Sequence, residues 1–372
     1  MSTNSRKLIE ELLDTAGIAI NGSNPHDIQV HNENLYDRVM SGGSLAVGES
    51  YMDGWWDCPA LDQFCDRIFR ARLDQKIKSR YELLWHILKA RLFNLQKNHR
   101  AYQVGEQHYD AGNQLYQAML DKNMVYTCGY WENADNLDEA QEAKLDLVCR
   151  KIDLQPGMRV LDLGCGWGSF AKYAAENYGA EVTGVTVSRE QVELGRQMCA
   201  GLPVDIQLED YRNVEGKYDR VISIGMMEHV GCKNYRTYME TAYNRLKPDG
   251  MAFVHTIGNN VSTRAGNPWT TKYIFPNGML PSISYLGAAM EGLFVMEDWH
   301  NFGPDYDKTL MAWYENFEKA WPQLKDRYGE RFRRMWHFYL LSSAGAFRSR
   351  AIQLWQIVMT KPGAAQPECR LA

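Results

Sequence analysis

VLDLGCGWGSF, at residues 160–170, joins a buried apolar strand to a helix through a loop that is rich in glycine. Glycine has no Cβ, so a backbone with Gly164, Gly166 and Gly168 can adopt positive φ and pass close beneath a ligand. A dinucleotide fingerprint has the spacing G-x-G-x-x-G, and here the third glycine comes one residue earlier. An acid, Asp162, stands two residues before the first glycine. The strand, loop and helix together predict a ligand-binding loop rather than a plain glycine turn.

Strands and helices alternate from residue 159 onward. Apolar runs typical of buried strands occupy 159–163, 181–185, 204–208, 218–224 and 251–257. Helical patterns lie between them near 170–178, 189–200 and 234–246. This alternation predicts an α/β fold, a mostly parallel sheet with helices on both faces. Further helical segments are expected over 310–341, and a late edge strand at 352–359.

The first hundred residues are typical of a separate, smaller α+β unit. A helix is predicted at 6–16, and residues 18–30 alternate like an interrupted strand. YELLWHILKARLFNL, residues 81–95, places apolar side chains at three- and four-residue steps opposite a basic face. The polar run at 96–107 is a predicted linker. We therefore predict one domain at 1–100 and a second at 101–372.

Composition narrows the class of protein. Of the 372 residues 45% are apolar, enough to bury a core, which excludes a disordered chain. No uncharged apolar run approaches the roughly 18 residues of a spanning helix, and the charged N-terminal stretch is unlike a signal peptide, which predicts a cytoplasmic protein. The eight cysteines form no C-x-x-C pair and the nine histidines no H-E-x-x-H motif, so no metal site is predicted.

One basic segment stands out in an acidic chain. Residues 67–100 contain ten Lys or Arg and two acids, a net charge of +8, whereas the whole chain has −5. A solvated helix face is the plain interpretation, and attraction to anionic phospholipid, about 1 kcal/mol per basic residue at the surface, is the sharper one. No nucleic-acid-binding motif accompanies the charges. The amphipathic stretch with Trp85 and Phe93 favours docking on a bilayer surface, with no nucleic acid as partner.

The glycine loop with its preceding acid resembles that of the S-adenosylmethionine (SAM)-dependent methyltransferases. The resemblance implies that the loop lies under the amino-acid moiety of the cofactor and that Asp162 helps to hold its ammonium group. The second strand lacks the usual ribose-binding acid at 185–187. This departure indicates a subgroup in which other side chains cover the region, namely Thr186, Ser188 and Gln191. After the third strand, Asp210 is expected at the adenine amino group and Tyr211 against the ring, with Arg212 either there or at the surface.

Nine ordered motifs make the resemblance closer. They are HYDAGNQLYQAML (108–120), MVYTCGYW (124–131), LDLGCGWG (161–168), GVTVSREQ (184–191), MMEHVG (226–231), FVHTIG (253–258), KYIFPNG (272–278), DWHNFGPDYDKTLMAW (298–313) and AGAFRSRAIQLWQ (344–356). Together they resemble the bacterial cyclopropane-fatty-acyl-phospholipid synthases. That family methylenates the cis double bond of unsaturated acyl chains in membrane phospholipids with SAM. The resemblance implies a Rossmann-like class I methyltransferase domain at 101–372, a lipid-engaging domain at 1–100, a homodimer, peripheral association with the inner membrane, and Tyr126 and Thr127 at the cofactor.

The resemblance also implies a bound bicarbonate, the base that removes a proton after methyl transfer has produced a carbocation. Its expected holders are Cys128, Glu228, His255, the backbone of Ile257, and Tyr306. A carboxylate beside an anion requires a shared proton, so Glu228 is expected to accept a hydrogen bond from bicarbonate. The plain alternatives are that Glu228 caps a helix and that Cys128 is buried filler.

One departure from the family pattern concerns covalent chemistry. Many members carry a cysteine just before AGAFR, where this chain has Ser342 and Ser343, which does not support a nucleophilic cysteine there.

Two other functions compete with the synthase. A soluble SAM-dependent methyltransferase acting on a small amine or hydroxyl is the first competing hypothesis. A catalytically idle lipid-binding protein is the second, and the intact set of expected bicarbonate holders argues against it.

Overall fold

The computed structural model describes residues 2–73 and 112–371. Its strands, in chain order, are β1 (Gln29–Val30), β2 (Trp56–Asp57), β3 (Arg159–Leu163), β4 (Glu181–Thr186), β5 (Val204–Leu208), β6 (Tyr218–Ile224), β7 (Leu246–Asn259), β8 (Val295–Asn301) and β9 (Ile352–Thr360). Its helices are α1 (Ser2–Asp14), α2 (Leu35–Met52), α3 (Leu61–Arg70), α4 (Asn113–Met119), α5 (Leu137–Lys151), α6 (Ser169–Tyr178), α7 (Arg189–Met198), α8 (Met227–Val230), α9 (Tyr235–Arg245), α10 (Pro268–Tyr273), α11 (Ile283–Met290) and α12 (Pro304–Arg348).

The described residues fall into two compact units. The first consists of 2–73, 264–276 and 306–352, and the remaining described residues form the second. Two later segments of the chain therefore group with its N-terminal part. The helix expected at 81–95, the linker at 96–107, the domain boundary at residue 100 and most of the basic segment lie outside the described residues, so the division at residue 100 stays a prediction.

The second unit is built on a seven-stranded sheet in the order β5-β4-β3-β6-β7-β9-β8. Neighbouring strands from β5 to β7 run parallel, and β8 runs antiparallel to β9. Side chains alternate across the sheet: Leu161 and Val221 belong to one buried cluster, Val160 and Ile222 to another. Because both faces of a parallel sheet need a cover, strands with such continuous apolar runs fold between helices. The predicted α/β fold is confirmed.

The end of the sheet differs from the expectation. The late strand β9 was expected at an edge, and this is wrong, because β9 lies between β7 and β8. Its residues from Gln353 to Thr360 are all buried, as an interior strand requires. The edge strand is β8, which the sequence did not reveal because VMEDWHN mixes acids with apolar residues; its Val295 is 43% and its Met296 51% exposed.

The first unit is held together by contacts between residues far apart in sequence. The guanidinium of Arg348, at the end of α12, donates to Asp62 at 2.6 Å and to Asp307 at 2.8 Å. The ring of Trp269 packs against Gly48, where a Cβ would come within 2.3 Å of it. The helical segment predicted at 310–341 is confirmed within α12, which is interrupted at Gly329.

The N-terminal residues contain less strand than the alternating pattern predicts. Of residues 18–30 only Gln29 and Val30 form a strand, because the carboxylate of Asp27 accepts hydrogen bonds at 2.8 Å from the backbone N–H groups of Ala19 and Asn24 and stabilises a turn. Over the two described ranges, no helix combines the length and the apolar character needed to cross a membrane.

Candidate active site

The glycine loop follows β3 and is fixed to the end of β4. The N–H groups of Gly164 and Cys165 both donate to the carbonyl of Val185 at 3.0 Å. Gly164, Gly166 and Gly168 have φ values of 82°, 58° and 81°, which side chains other than glycine rarely adopt. A Cβ on Gly166 would meet nothing within 4 Å, so this backbone borders open space. The loop therefore has the conformation and the room that a cofactor needs.

Asp162, the acid before the loop, is 2% exposed in the middle of the sheet. Burial raises the pKa of its carboxyl to about 7, and the ammonium group of Lys144 opposes that rise. A cation that binds beside a carboxyl group favours its ionised form. Asp162 can thus hold the ammonium group of an amino-acid moiety.

Thr186, Ser188 and Gln191 lie together between β4 and α7. The Thr186 hydroxyl donates to Gln191 Oε1 at 2.6 Å, and the backbone N–H of Ser188 donates to Thr186 Oγ1 at 3.3 Å. Ser188 caps α7 by accepting from the Gln191 N–H at 3.3 Å. These three polar residues are all buried and form one hydrogen-bonded group at the end of β4. β4 is the second strand of the large sheet in chain order, and the ribose hydroxyls are expected at its end.

Asp210, Tyr211 and Arg212 follow β5. Arg212 donates to the Asp210 carboxylate at 2.8 Å and 2.5 Å, and its guanidinium carbon lies 5.3 Å from the Tyr211 ring centre. Arg212 is thus an ion-pair partner of the residue expected at the adenine. The Tyr211 ring packs 5.5 Å from that of Tyr238, in the core beside the sheet. Core packing alone accounts for the burial of Tyr211.

Two side chains of α5 hydrogen-bond to the segment with Tyr126, Thr127 and Cys128. Gln141 donates from Nε2 to the Thr127 carbonyl at 2.7 Å, and Lys144 donates from Nζ to Thr127 Oγ1 at 3.0 Å. Cys128 is fully buried. Contacts of the same unit connect this segment to the glycine loop. They are the ring pairs Tyr126–Tyr116 and Tyr116–Trp167, each with 5.1 Å between centres, and the hydrogen bond from Ser169 Oγ to the Met124 carbonyl at 3.3 Å.

Glu228 is the second residue of α8, the short helix after β6, and its side chain turns back to β7. Its Oε1 accepts the backbone N–H of Ile257 at 2.6 Å. Its Oε2 is buried and has no hydrogen-bond partner among the described residues. Burial raises the pKa of the Glu228 carboxyl to about 7. The side chain of Glu228 therefore bonds across to β7, and the pKa near 7 allows its carboxyl to hold or release a proton near neutral pH.

His255, on β7 two residues before Ile257, is 1% exposed. Burial is the main cause that holds the pKa of its imidazole well below the usual value, so the ring is neutral. Its Nδ1 lies 3.4 Å from Gln356 Nε2 on β9. A Gln356 N–H donated to Nδ1 would leave the proton of the neutral ring on Nε2. Nε2 is buried and has no hydrogen-bond partner among the described residues.

Tyr306 belongs to the first unit and is described with it. Its ring stacks on Phe347 with centres 4.5 Å apart and meets Trp313 edge-on at 5.9 Å. Of the five expected bicarbonate holders, Cys128, Glu228, His255 and Ile257 belong to the second unit, where Glu228 bonds to Ile257 and His255 lies on the same strand as Ile257.

Sequence reasoning missed Gln141, Lys144 and Gln356. The first two lie at positions of α5 that are fully buried, three residues apart. Polar residues at core spacing within a helical pattern were the available signal. Gln356 is part of IQLWQIVM, an apolar run typical of a buried strand, in which one amide side chain gives no signal of a function.

Comparison of the sequence with known proteins shows its family. Residues 96–357 match the family described as mycolic acid cyclopropane synthetase. The chain belongs to the mycolic acid cyclopropane synthetase family. This membership confirms the expected family and the expected enzyme class, a SAM-dependent methyltransferase.

Two curated relatives of this cyclopropane synthetase family member are informative. The chain is 53% identical over 355 residues to the cyclopropane-fatty-acyl-phospholipid synthase of Escherichia coli (strain K12), which covers 95% of this chain and 93% of the relative. It is 40% identical over 270 residues to a probable fatty acid methyltransferase of Pseudomonas putida, 68% of each chain.

A solved structure of the family shares the fold. The mycolic acid cyclopropane synthase CmaA1, crystallised in complex with SAH and CTAB, superposes with a TM-score of 0.65 at 31% identity. The match covers 70% of this chain and 98% of that one. The Rossmann-like class I methyltransferase fold expected from the family resemblance is confirmed.

Proposed function

We propose that this chain is a cyclopropane-fatty-acyl-phospholipid synthase, which adds a methylene group from SAM across the cis double bond of unsaturated acyl chains in membrane phospholipids. The observation that carries the proposal is the 53% identity to the Escherichia coli synthase over 95% of this chain. The buried, unpartnered oxygen of Glu228 and ring nitrogen of His255 support it, because ring closure needs a held base.

The residues around the glycine loop suit SAM. When bound, SAM supplies an electrophilic methyl group on a sulfonium. The loop glycines would lie under its amino-acid moiety, with Asp162 at the ammonium group and Tyr126 and Thr127 beside it. The residues proposed for the ribose and adenine are Thr186, Ser188, Gln191, Asp210, Tyr211 and Arg212.

An alkene is a weak nucleophile, so the chain must act mainly by positioning. Holding two reactants in line can lower a barrier by about 7–11 kcal/mol. The alkene forms a new C–C bond to the methyl carbon as the C–S bond breaks, which leaves a positive charge on the acyl chain. Loss of one proton from that methyl then closes the ring.

The proton acceptor in this proposal is a bicarbonate ion. The Nε2–H of neutral His255 would donate to it, and Glu228 Oε2 would accept its hydroxyl hydrogen. A bicarbonate donor to Glu228 also explains why a buried carboxylate can face an anion. Ile257 already donates its N–H to Glu228 Oε1, so that backbone group acts through Glu228. Cys128 and Tyr306 are the remaining proposed holders.

The substrate places this enzyme at a bilayer. The +8 charge of residues 67–100 supports docking on anionic phospholipid, with the protein peripheral to the inner membrane. A homodimer would bring two docking faces to one membrane, which strengthens weak binding without a new contact. Sedimentation with vesicles of phosphatidylglycerol tests the docking: binding is expected to fall as salt rises, and salt-independent binding would contradict it.

The activity is tested with isotopically labelled SAM and vesicles of unsaturated phospholipid, followed by fatty-acid analysis. Labelled cyclopropane acyl chains are expected, in amounts that fall when bicarbonate is removed and recover when it is restored. Label in small amines or hydroxyl compounds without vesicles would instead support the soluble methyltransferase. Unlabelled lipid in every condition would overturn the proposal, and indifference to bicarbonate would overturn the choice of base.

A further inference from the structure

Lys144 is a buried ammonium group that the functions described so far do not use. It lies in the middle of α5 with 0% exposure. Its Nζ donates to Thr127 Oγ1 at 3.0 Å, and none of the described carboxylates lies within the 4.0 Å of an ion pair. An ammonium has three N–H donors, and burying its charge is costly unless it is compensated. Such a group calls for a reason other than stability.

The groups around Lys144 belong to both halves of the candidate site. Its charge acts on Asp121, Cys128 and Asp162, and on His255. The carboxylate of Asp121 is already hydrogen-bonded to the backbone, since its oxygens accept the N–H groups of Asn123 at 2.9 Å and Val125 at 2.8 Å. Asp162 has the carboxylate that the cofactor needs, and the nearby cation favours its ionised form. Lys144 thus compensates the acid that would hold the ammonium group of SAM.

The hydrogen bond to Thr127 has a direction. An ammonium can only donate, so Thr127 Oγ1 is the acceptor and its own hydrogen must point elsewhere. The threonine methyl group is fixed on the other side, because a Cβ on Gly225, just after β6, would come within 2.8 Å of it. Thr127 is therefore an oriented donor, and it is held by the same ammonium group whose charge acts on Asp162. A donor and a carboxylate together match the carboxylate and the ammonium group of an amino acid.

We propose that Lys144 is a positioning residue for the amino-acid moiety of SAM, because it orients the Thr127 hydroxyl and balances the charge of Asp162. The proposal rests on SAM as the methyl donor and on neither the lipid substrate nor the bicarbonate. It assigns Lys144 no contact with the adenosine moiety. Replacement of Lys144 should therefore weaken the binding of ligands that carry the amino-acid moiety and leave the binding of ligands that lack it unchanged.

Two nucleosides separate these roles. S-Adenosylhomocysteine (SAH) has the amino-acid moiety, and 5′-methylthioadenosine has the same adenosine without it. In titration calorimetry Lys144→Met, which keeps the length of the side chain and removes the charge, is expected to weaken SAH binding by about 10- to 100-fold. Its affinity for 5′-methylthioadenosine is expected to stay within about twofold of wild type.

Lys151→Met is the matched control. Lys151 is the other fully buried lysine of α5, and its Nζ is paired with Asp298 at 2.9 Å and lies 3.2 Å from His300 Nδ1. Its loss should lower stability without changing the ratio of the two affinities. Should Lys144→Met fail to fold, Thr127→Val removes the same oriented donor at nearly constant shape and is expected to weaken SAH selectively, by about tenfold.

Each result decides the proposal. A selective loss of SAH affinity in Lys144→Met or Thr127→Val supports it. An equal loss for both nucleosides shows a merely structural lysine and overturns it, as does unchanged SAH binding. The wild-type chain is titrated first: failure of wild-type SAH binding would overturn the methyl donor together with this proposal, whereas a failure confined to the variants concerns Lys144 alone.

Discussion

The glycine loop and the Glu228–His255 pair lie in the same unit and are built in opposite ways. The loop is a short stretch of backbone, and its glycines have positive φ and border open space at Gly166. The pair consists of buried side chains from α8 and β7, supported by Ile257 and by Gln356 from β9. A backbone site is thus encoded locally and tolerates no side chain. A side-chain site depends on the complete sheet and on the cost of burying polar atoms.

The largest expected effect tests the side-chain site. Glu228→Gln keeps an oxygen for the Ile257 N–H and replaces the unpartnered oxygen by a donor. Because general-base machinery contributes about 10²- to 10⁴-fold, turnover of vesicle lipid should fall by that order. SAH affinity should stay within a few fold. A matching loss of SAH affinity would show that Glu228 belongs to the cofactor site and would remove the contrast between the two sites.

The same variant isolates a pH effect on stability. The pKa of Glu228 rises from 4.5 to about 7 on folding, so the folded carboxyl holds its proton more tightly than the unfolded one. Its contribution is fully present below about pH 4.5 and is lost as the pH rises through about 7. Wild type should therefore lose up to about 3 kcal/mol relative to Glu228→Gln between pH 4.5 and pH 8. Urea unfolding of both proteins checks this, and a difference independent of pH would contradict it.

The backbone site is tested by two alanine variants with equal strain. Gly166 and Gly157 have φ values of 58° and 78°, and neither has an atom within 4 Å of a built Cβ. Gly166→Ala and Gly157→Ala should each lower the free energy of unfolding by about 1–2 kcal/mol. Only Gly166→Ala should also weaken SAH binding, by about tenfold or more, because its methyl group would occupy the cofactor's space. Equal SAH affinities of Gly166→Ala and Gly157→Ala, measured by calorimetry, would show that the cofactor does not bind at this loop.

The two sites also differ in how far the sequence predicts them. The strands of the parallel sheet and the glycine loop follow from local pattern, since buried strands and positive φ leave short-range signals. Glu228, His255 and Ile257 came from family resemblance, and the hydrogen bond that joins Glu228 to Ile257 spans 29 residues. Lys144 and Gln141 were missed, because a polar side chain on the inner face of a helix acquires its meaning only from what other elements bring to it. The position of β9 in the sheet was also missed, because that position depends on which strands pair with β9.

The scattered make-up of the first unit has a consequence during synthesis. The hydrogen bond between Asp62 and Arg348 joins residues that are 286 positions apart. At a translation rate of about 5–20 residues per second, the N-terminal helices wait roughly 15 to 60 s for the partner that completes their packing. Over that interval the apolar faces of α2 and α3 have no native cover from α12. The second unit is completed later still, because β9, the strand between β7 and β8 in its sheet, follows α12 in the chain, so neither unit reaches its full packing before the last tenth of the chain is made.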